Sequence, residues 1–431
     1  MTKDIESRLI QAKDQRNHQL HALTTQSPVC LTLKANQPGW PKNTITTAIL
    51  LKLFNHLIRA IFSFTACQQI QSEAGDTIVY TITGKAKQLK KQTVYFENHH
   101  PLGRYIDLDV YDHGTPITRE DLNMARRKCY LCHDPAHQCA VLKRHSINTL
   151  REHVSHHVID YLKHYLAESV ATALRKELAL YPKLGLVSFR DSGIHDDMHY
   201  RHFLTSIRVL TPFFYDFIQQ GENHSISLEP LRTIGKLAES AMFEATKNIN
   251  THKGAIFIFG AFLPYYTKAI FQQTTLKHCL SELKHDIQPM IASDFKNMNQ
   301  QKPRSFGEYC YKEYQLGGIR EEVSNGFPSL FSWYPKKYDN DYQKLLHIAS
   351  TLDDTTIIKR TSIEVLRQFQ NSAKDFLEQP FNFEAYKAYS NDCKARFISP
   401  GGSADLLALL HFIEATDYIL KPLDLSSNSR P

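Results

Sequence analysis

The chain has 431 residues and a mass of 49.7 kDa, which at about 150 residues per domain predicts two or three domains. A hydrophobic content of 42%, a charged content of 22% and a mean hydropathy of −0.38 exclude a collagen-like, coiled-coil or largely disordered chain. The whole net charge of +7 lies in residues 1–150, which hold 19 Lys and Arg against 12 Asp and Glu, while residues 151–431 hold 32 of each. The sequence therefore contains two chemically different parts.

The first part mixes helical and strand patterns. Residues 4–23 carry apolar side chains at helical spacing, and residues 43–64 predict a long helix with Asn43 or Thr44 as its N-cap. Strands are predicted by β-branched or alternating residues, and they lie at 29–33, 76–83 and 104–111. These patterns predict an α+β domain.

Helical periods dominate after about residue 147 and predict a larger all-α domain. They cover residues 149–180, 202–219, 231–250, 256–271 and 406–420. Gly and Pro gather in the short interruptions, where we expect functional loops. No linker composition separates the two parts, and we place the domains at 1–153 and 154–431.

The sequence predicts neither a secretory signal nor a membrane span. The first residues are too polar to begin a signal peptide. His, Pro, Lys or Arg interrupt the two most apolar stretches, at 47–64 and 255–271, so we interpret both as core helices. The eight cysteines are then expected to be reduced thiols, and we expect a cytoplasmic protein that binds no membrane.

The sharpest motif of the first part is HPLGRYIDLDV, at 100–110. Asp107 and Asp109 stand two residues apart on a predicted strand and share one face, which suits a divalent cation such as Mg²⁺. Nucleotidyl-type transferases use such a pair to hold the metal that neutralises a triphosphate, and Arg104 and Lys42 are candidate phosphate contacts. An ordinary solvated strand face fits the same two acids. The motif favours a nucleotidyltransferase-like first domain.

A cysteine-rich segment follows that motif. Its candidate metal ligands are Cys129, Cys132 and Cys139 together with a nearby histidine, and His145 follows the segment. The spacing suits a zinc site, and it also suits reduced cysteines buried under a basic helix. Basic runs at 126–128 and 143–145 flank the segment, so its partner is nucleic acid, a polyphosphate or an acidic protein. Tyr130 is the sole aromatic residue there, which argues against single-stranded nucleic acid.

Five polar segments interrupt the helices of the second part. They are PKLGLV with DSGIHDDM (182–198), NINTHKGAIF (248–257), GGIREEVSNGFP (317–328), DDTTIIKR (353–360) and SPGGSADLLA (399–408). Taken singly, each fits a capped helix or a surface turn. Such a density of Lys, Asp, Ser and His outside helix interiors favours function.

Two family resemblances rest on these motifs. HPLGRYIDLDV with RRKCYLCHDPAHQCAVLKRHS resembles the apo-citrate lyase phosphoribosyl-dephospho-CoA transferase family (CitX), over most of residues 6–150. The five polar segments occur in the order of the triphosphoribosyl-dephospho-CoA synthase family (CitG), and this resemblance spans about residues 155–420. The alternative is a basic, zinc-containing nucleic-acid-binding module fused to a helical domain.

The resemblances imply two consecutive reactions. The second family condenses ATP with 3′-dephospho-CoA and expels adenine. The first family transfers the resulting group to a serine of the apo acyl carrier subunit of citrate lyase and releases diphosphate. They imply Asp107 and Asp109 as metal-binding acids and Arg104 as a phosphate contact, with no nucleic-acid partner.

Cleavage of the ribose–adenine bond builds positive charge on the sugar, so the second part needs an acid at the base, carboxylates at the sugar, and cations with Mg²⁺ at the triphosphate. The candidate phosphate contacts are Lys183, Asn250, Lys253, Arg360 and Ser403. The candidate Mg²⁺ ligands are Asp354 and Asp405. The candidate acid or base is His195 or His252, supported by Asp191 or Asp197.

Overall fold

A computed structural model describes residues 3–132, 134–223, 225–299, 303, 305–335 and 338–427. It divides into two compact units, Met1–Leu162 with Lys421–Pro431, and Lys163–Leu420. The first unit contains strands and helices, and the second is mostly helical, which confirms the α+β and all-α predictions at this level.

The first unit is built on a five-stranded antiparallel sheet of order β2-β3-β1-β4-β5. Its strands are β1 Val29–Ala35, β2 Phe64–Ile70, β3 Thr77–Ile82, β4 Ile106–Asp112 and β5 Thr115–Ile117. Its helices are α1 Lys3–Thr25, α2 Ile45–Ile61, α3 Ala86–His99, α4 Ala136–Val141 and the first part of α5 Ile147–Ala179. The predicted boundary at 153/154 falls inside α5, which continues into the second unit.

The ends of α2 follow from local hydrogen bonds. Thr44 is the N-cap, and its side chain accepts from the Thr47 backbone N–H while Thr47 Oγ1 accepts from the Thr44 N–H at 2.8 Å. The helix ends at Ile61, and Phe64 already opens β2. The sequence pattern merged Phe64 with the helix because β2 buries every third residue rather than every second one.

Strand β4 alternates its two faces. Ile106, Leu108 and Val110 are fully buried, whereas Asp107 and Asp109 lie on the opposite face. The predicted sharing of one face by the two acids is therefore confirmed. The residues just before β4 form a 3₁₀ turn instead of a strand.

In the second unit, the described residues form helices and no strand. The helices are α6 Tyr200–Gln220, α7 Leu228–Ala245, α8 Lys253–Phe271, α9 Leu276–Asn299, α10 Phe306–Tyr314, α11 Gly318–Ser324, α12 Pro328–Phe331, α13 Asp341–Thr351, α14 Thr355–Arg360, α15 Ile363–Glu378, α16 Phe383–Ala395 and α17 Gly401–Thr416. Helix α5 ends in this unit at Ala179.

Helices α8 and α17 form the centre of this unit. Helix α8 contacts α6, α7, α9 and α17, and both central helices are apolar on nearly all sides, as a buried helix must be. Among the described helices α8 has the length and apolarity of a membrane span, but 83% of its apolar window is buried inside the fold. Both helices begin within predicted polar segments, at 248–257 and 399–408, and Gly254 in the first turn of α8 lies close to Asp405 in the first turns of α17.

Candidate active sites

The two acids of β4 are held by cations. Lys34 on β1 lies opposite Asp107 in the sheet register, and its Nζ is 2.8 Å from Asp109 Oδ2. Lys90 Nζ on α3 is 3.8 Å from the other oxygen of Asp109. Burial acts to raise the pKa of Asp109, but Lys34, Lys90 and Arg127 outweigh it and keep that pKa below its usual range. Asp109 is therefore ionised at neutral pH.

Asp107 is tied to a buried carboxylate through one arginine. Arg127 forms ion pairs with both Asp107 and Glu97, and it donates to the Ile106 carbonyl at 2.9 Å. The Glu97 side chain is only 2% exposed, and it also accepts from Arg119 Nη2 at 2.6 Å. Glu97 thus anchors two arginines from the segment after β5 beside the metal-binding candidate.

The two predicted phosphate contacts of this unit lie near the acids. Lys42 Nζ donates to the Gln37 carbonyl at 2.6 Å, and burial lowers the pKa of Lys42 while the Asp107 charge opposes that effect. The Arg104 guanidinium lies 5.9 Å from the centre of the Tyr130 ring. Burial and then the Arg127 charge lower the pKa of Arg104. A negatively charged ligand beside either cation would offset the free-energy cost of burying its charge.

A basic pocket of about 720 Å³ lies beside this cluster. Its cationic lining residues are Lys91, Arg104, Arg119, Arg126, Arg127 and Lys128. None of the described lining residues is Asp or Glu, and Tyr95, Tyr130 and Leu131 add apolar surface. Such a lining suits a ligand with several phosphates and an aromatic or apolar part. Arg127 belongs both to this pocket and to the Asp107 ion pair.

The cysteine-rich segment borders the same pocket. Cys129 and Cys132 line it, and these two sulfurs, the Cys139 sulfur and one His145 ring nitrogen all lie within 4.8 Å of one another. The structure thus brings the three predicted cysteines together and adds His145 to them. His133, next to Cys132, lies outside the described residues.

In the second unit a charged pair is buried at the end of α5. Lys183 Nζ donates to Glu177 Oε1 at 2.7 Å, and the two side chains are 1% and 6% exposed. Burial lowers the pKa of Lys183, while Glu177 and Asp405 act to raise it. Burial, Glu177 and Asp354 raise the pKa of Asp405 well above its usual range. The carboxyl groups of Glu177 and Asp405 therefore act on one buried ammonium group.

His252 lies against this charged cluster. It is 2% exposed, its Nδ1 shares a 2.8 Å hydrogen bond with Ser206 Oγ, and its Nε2 is buried without a hydrogen-bond partner among the described residues. Burial and the Lys183 charge lower the pKa of His252 to about 3. The imidazole is therefore neutral at pH 7 and offers a ring nitrogen that can accept a hydrogen bond.

The first turns of α8 and α17 touch at a glycine. A methyl group on Gly254 would overlap Asp405 Oδ2, so no other residue allows this approach without movement. Gly185, at φ +73°, makes a similar close approach to the Ile398 carbonyl. The structure in this way brings the segments around 185, 254 and 405 together, as expected of loops that share one site.

Asp354 joins two of the polar segments. One carboxyl oxygen accepts from the Thr356 N–H at 3.1 Å and Thr356 Oγ1 at 2.7 Å. The other accepts from the Ser403 N–H at 2.9 Å and Ser403 Oγ at 3.2 Å. These four donors occupy a buried carboxyl group, an environment that does not fit a Mg²⁺ ligand. Ser403 is likewise directed to Asp354.

His195 and Arg360 form a second, more exposed group. Arg360 Nη2 is 3.3 Å from His195 Nδ1, and Ser399 Oγ is 3.5 Å from His195 Nε2. Burial and the Arg360 charge lower the pKa of His195 to about 4. The Asp197 charge acts on both His195 and Arg360. These residues from three segments surround one place on the surface of the unit.

Comparison with known proteins assigns a family to each unit. Residues 5–161 match the family model CitX, described as apo-citrate lyase phosphoribosyl-dephospho-CoA transferase. Residues 163–422 match the family model CitG, described as ATP:dephospho-CoA triphosphoribosyl transferase. The chain is 30% identical to Protein CitXG of Haemophilus influenzae, over 94% of this chain and 94% of that protein. The chain belongs to the CitXG family.

Two further relatives agree with this assignment. Protein CitXG of Leuconostoc mesenteroides is 28% identical over 89% of this chain and 91% of its own length. The 2-(5''-triphosphoribosyl)-3'-dephosphocoenzyme-A synthase of Haemophilus ducreyi is 33% identical over 65% of this chain and 98% of its own length. The chain is a bifunctional transferase, which supports the two resemblances over the nucleic-acid-binding alternative. We call Met1–Leu162 with Lys421–Pro431 the CitX unit and Lys163–Leu420 the CitG unit.

Three predicted residues of the CitG unit lie apart from its charged cluster. Asp191 is bound to Lys394, with an Nζ–Oδ1 distance of 2.7 Å. Lys253 forms an ion pair with Glu239, and the Asn250 side chain accepts from the Lys253 N–H at 3.2 Å. In the described part of the chain, no hydrogen bond joins any of them to His195, His252 or Asp405, so their roles stay predictions.

Several residues of both clusters were not predicted. They are Lys34, Lys90, Glu97 and Arg127 in the CitX unit, and Glu177 and Ser206 in the CitG unit. The basic run at 126–128 indicated that Arg127 binds an anionic group. The alternation of β1 was a signal for Lys34, since it sets that side chain on the face of the two acids.

Proposed function

We propose that the CitG unit condenses ATP with 3′-dephospho-CoA to form 2′-(5″-triphosphoribosyl)-3′-dephospho-CoA and adenine. The CitX unit then transfers the phosphoribosyl-dephospho-CoA group to a serine of the apo acyl carrier subunit of citrate lyase and releases diphosphate. The observation that carries the proposal is the match of one family to each compact unit of a single chain. The product of one reaction is the substrate of the other. Because ATP and reduced thiols belong to the cell interior, we place the protein in the cytoplasm.

Asp405 is the group we assign to proton donation in the CitG unit. Departure of adenine requires a proton on the leaving base, and a carboxyl group with a raised pKa is a suitable donor. Burial, Glu177 and Asp354 favour the protonated form of Asp405. A Mg²⁺ ligand must be ionised, so we prefer proton donation to the metal-binding role predicted for Asp405. For Asp354 we derive no magnesium role, because Thr356 and Ser403 already occupy its oxygens.

His252 is the group we assign to the attacking 2′-hydroxyl of dephospho-CoA. Its Nε2 is buried and lacks a partner, while Ser206 fixes the other ring nitrogen. A hydroxyl group that donates to Nε2 would satisfy this orphaned atom and become more nucleophilic. Ser206 is a positioning residue, since it acts through the imidazole.

The triphosphate of ATP is assigned to the exposed edge of the same loops. Arg360 with His195 provides one cationic corner, and Lys253 with Asn250 at the start of α8 provides N–H groups and a second cation. Lys183 is buried in its ion pair with Glu177, so its support of phosphate binding is electrostatic rather than direct.

In the CitX unit the residues fit a bound Mg²⁺. Asp107 and Asp109 share a face and are each partly exposed, and Mg²⁺ commonly takes one or two carboxylates together with substrate phosphates. Such an ion would neutralise the charge that develops on the departing diphosphate. Arg104 and Lys42 contact phosphates, and the basic pocket receives the rest of the CoA derivative. The paired acids on an interior strand of the sheet are our reason to infer a nucleotidyltransferase-like arrangement.

The test is one incubation with two readouts. The full chain is incubated with ATP, dephospho-CoA, Mg²⁺ and the apo acyl carrier subunit, and free adenine and the carrier mass are measured. We expect adenine in proportion to turnover and a carrier that gains one phosphoribosyl-dephospho-CoA group. Adenine without carrier modification would overturn the role of the CitX unit, and no adenine would overturn the role of the CitG unit.

A further inference from the structure

Four potential metal ligands converge in the segment that follows β5. The side chains of this cysteine–histidine cluster come from a short turn, a single-turn helix and the loop after it, and they are Cys129, Cys132, Cys139 and His145. Their ligand atoms all lie within 4.8 Å of one another. Cys139 Sγ is 3.4 Å from Cys129 Sγ, and the three cysteines and the histidine belong to a stretch of fewer than twenty residues.

The backbone of this segment is arranged as a knuckle around Cys129. Lys128 pairs with Pro135 in an isolated antiparallel bridge, and the Cys129 N–H donates to the Asp134 carbonyl at 2.8 Å. These two contacts turn residues 128–135 back on themselves, with Cys129 and Cys132 in the turn.

Hydrophobic burial does not explain why these side chains meet. Among the described residues of 128–146, Cys139 alone is buried. The larger apolar side chains nearby face solvent, with Val141 66% and Leu142 60% exposed. A segment without an apolar core needs another constraint to hold one conformation, and a bound metal is the usual one when cysteines converge without forming disulfides.

The histidine supplies an independent indication. His145 Nε2 is buried and has no hydrogen-bond partner among the described residues, although an imidazole nitrogen in that position normally has one. Three sulfurs and one nitrogen form a complete tetrahedral set, for which Zn–S distances of about 2.3 Å and Zn–N distances of about 2.0 Å are expected.

We propose that this cysteine–histidine cluster binds one Zn²⁺ as a closed structural site. With four protein ligands the ion has no open position for water or substrate, so it does not take part in the transfer reaction. On binding, the three thiols lose their protons to solvent and the imidazole binds in its neutral form. Zinc binding at this cluster does not depend on which reaction the CitX unit catalyses.

The cluster lies beside the basic pocket, and this position indicates which part of the fold the ion would stabilise. Cys129 follows Arg127 by two residues, and Cys129 and Cys132 themselves line the basic pocket. Tyr130, between them, donates to the Asn36 carbonyl at 3.0 Å and lies beneath the Arg104 guanidinium. The ion would therefore hold the wall of the pocket and keep Arg127 on Asp107 and Glu97.

The test measures metal rather than activity. Full-length protein purified without chelators is analysed for metals, and the metal-free protein is titrated with Co²⁺, whose absorption reports tetrahedral thiolate ligation. We expect about one zinc per chain and a thiolate-to-cobalt absorption band. The variants Cys132→Ser and Cys139→Ser should lower zinc affinity by more than the roughly 10–100-fold cost of an outer-shell change. His137→Ala, in the same segment but outside the cluster, and Cys67→Ser should retain the metal.

Each outcome decides the proposal. Wild-type protein that contains no zinc and gives no cobalt band overturns it, even if the cysteine variants fail to fold. Iron with inorganic sulfide in place of zinc also overturns it. Zinc that survives in both Cys132→Ser and Cys139→Ser would place the ion elsewhere. Amide hydrogen exchange adds a structural readout, because removal of zinc should increase exchange in 126–146 and leave the CitG unit unchanged.

Discussion

Arg127 binds Asp107 through one guanidinium nitrogen while the other nitrogen is bound to the buried Glu97. The predicted metal ligand is thus positioned by a side chain that is itself fixed from α3. Removal of one member of such a buried ionic cluster leaves the others uncompensated. The orientation of Asp107 therefore depends on residues far from it in the sequence.

The first prediction concerns Asp107→Asn. The substitution keeps the shape of the side chain but removes the charge that holds a cation, so we expect carrier modification to fall by about 100-fold or more. Adenine release should stay within about twofold of the parent, because it is assigned to the other unit. Carrier mass and free adenine are measured in the same reaction.

Asp112→Asn is the matched control for that experiment. Asp112 lies on the same strand, and its side chain is 53% exposed at the end remote from the cluster. Both activities should persist in this variant. If Asp107→Asn abolishes adenine release as well, the assignment of the two reactions to separate units is wrong.

The second prediction concerns Gly254→Ala. The added methyl group would overlap Asp405 Oδ2, so α8 and α17 have to separate at their first turns. We expect adenine release to fall by about tenfold or more, because misplacement by about 1 Å costs as much as 100-fold. Gly235→Ala in α7 is the control, since nothing lies within 4 Å of a methyl group there. Equal activity of both variants would contradict the proposed approach of Asp405.

The sequence was sufficient to predict those elements whose pattern is local. The alternation around Asp107 and Asp109 predicted β4 and its acidic face, and the apolar run at 256–271 predicted α8 as a core helix. The edge strand β2 was missed, because it buries every third residue and contains a bulge near Phe64. Helices α9 to α16 were also missed; in α15, for example, the buried apolar residues form a narrow stripe on a polar helix.

In the candidate sites, too, some features follow from the local sequence and others depend on tertiary contacts. The polar segments of the CitG unit were recognisable as a group, since each places several functional side chains in a loop. The burial of Lys183 by Glu177 was not predictable, because it depends on how the loop after α5 folds back on that helix. The partners of Asp107 could not be predicted either, because Glu97 and Arg127 come from different elements and meet only in the tertiary structure.

The third prediction concerns the pH dependence of stability. Burial raises the pKa of Glu322 to about 7. Hydrogen bonds from Ser329 oppose this shift, and the charges of Glu321 and Asp353 add to it. Between pH 4.5 and 7 the folded state thus binds more protons at this site than the unfolded chain, so its contribution to stability is lost as pH rises through that window. Glu322→Gln removes the cost of ionising this buried carboxyl group. The substitution should raise the free energy of unfolding at pH 8 by about 2 kcal/mol, with little change at pH 5.

Thermal unfolding of the full chain at pH 5 and pH 8 measures this effect. The parent and Glu322→Gln should differ in Tm by several degrees at pH 8 and converge at pH 5. Glu384→Gln is the control, because its side chain is 78% exposed and should give the same small difference at both values. A constant separation between parent and Glu322→Gln would contradict the raised pKa of Glu322.

The fourth prediction follows from the charge of the CitX unit. We expect an acidic carrier to dock at the exposed rim of the basic pocket that receives the CoA derivative. Such docking depends on long-range attraction, so an increase from 50 to 500 mM NaCl should lower kcat/KM for the carrier by about tenfold. Adenine release should change less, because the region from 151 onwards has no net charge. Initial rates at subsaturating carrier and saturating ATP separate the two effects.

A charge reversal tests the same attraction without added salt. Arg126 lines the pocket, is 69% exposed and pairs with Glu120, whereas Arg8 is 59% exposed, pairs with Glu73 and is not part of the pocket lining. Arg126→Glu should raise KM for the carrier severalfold and leave kcat nearly unchanged, since a rim charge acts mainly on association. Arg8→Glu alters the net charge equally and should have little effect on KM. Equal effects of both reversals would show that net charge, and not the pocket, attracts the carrier.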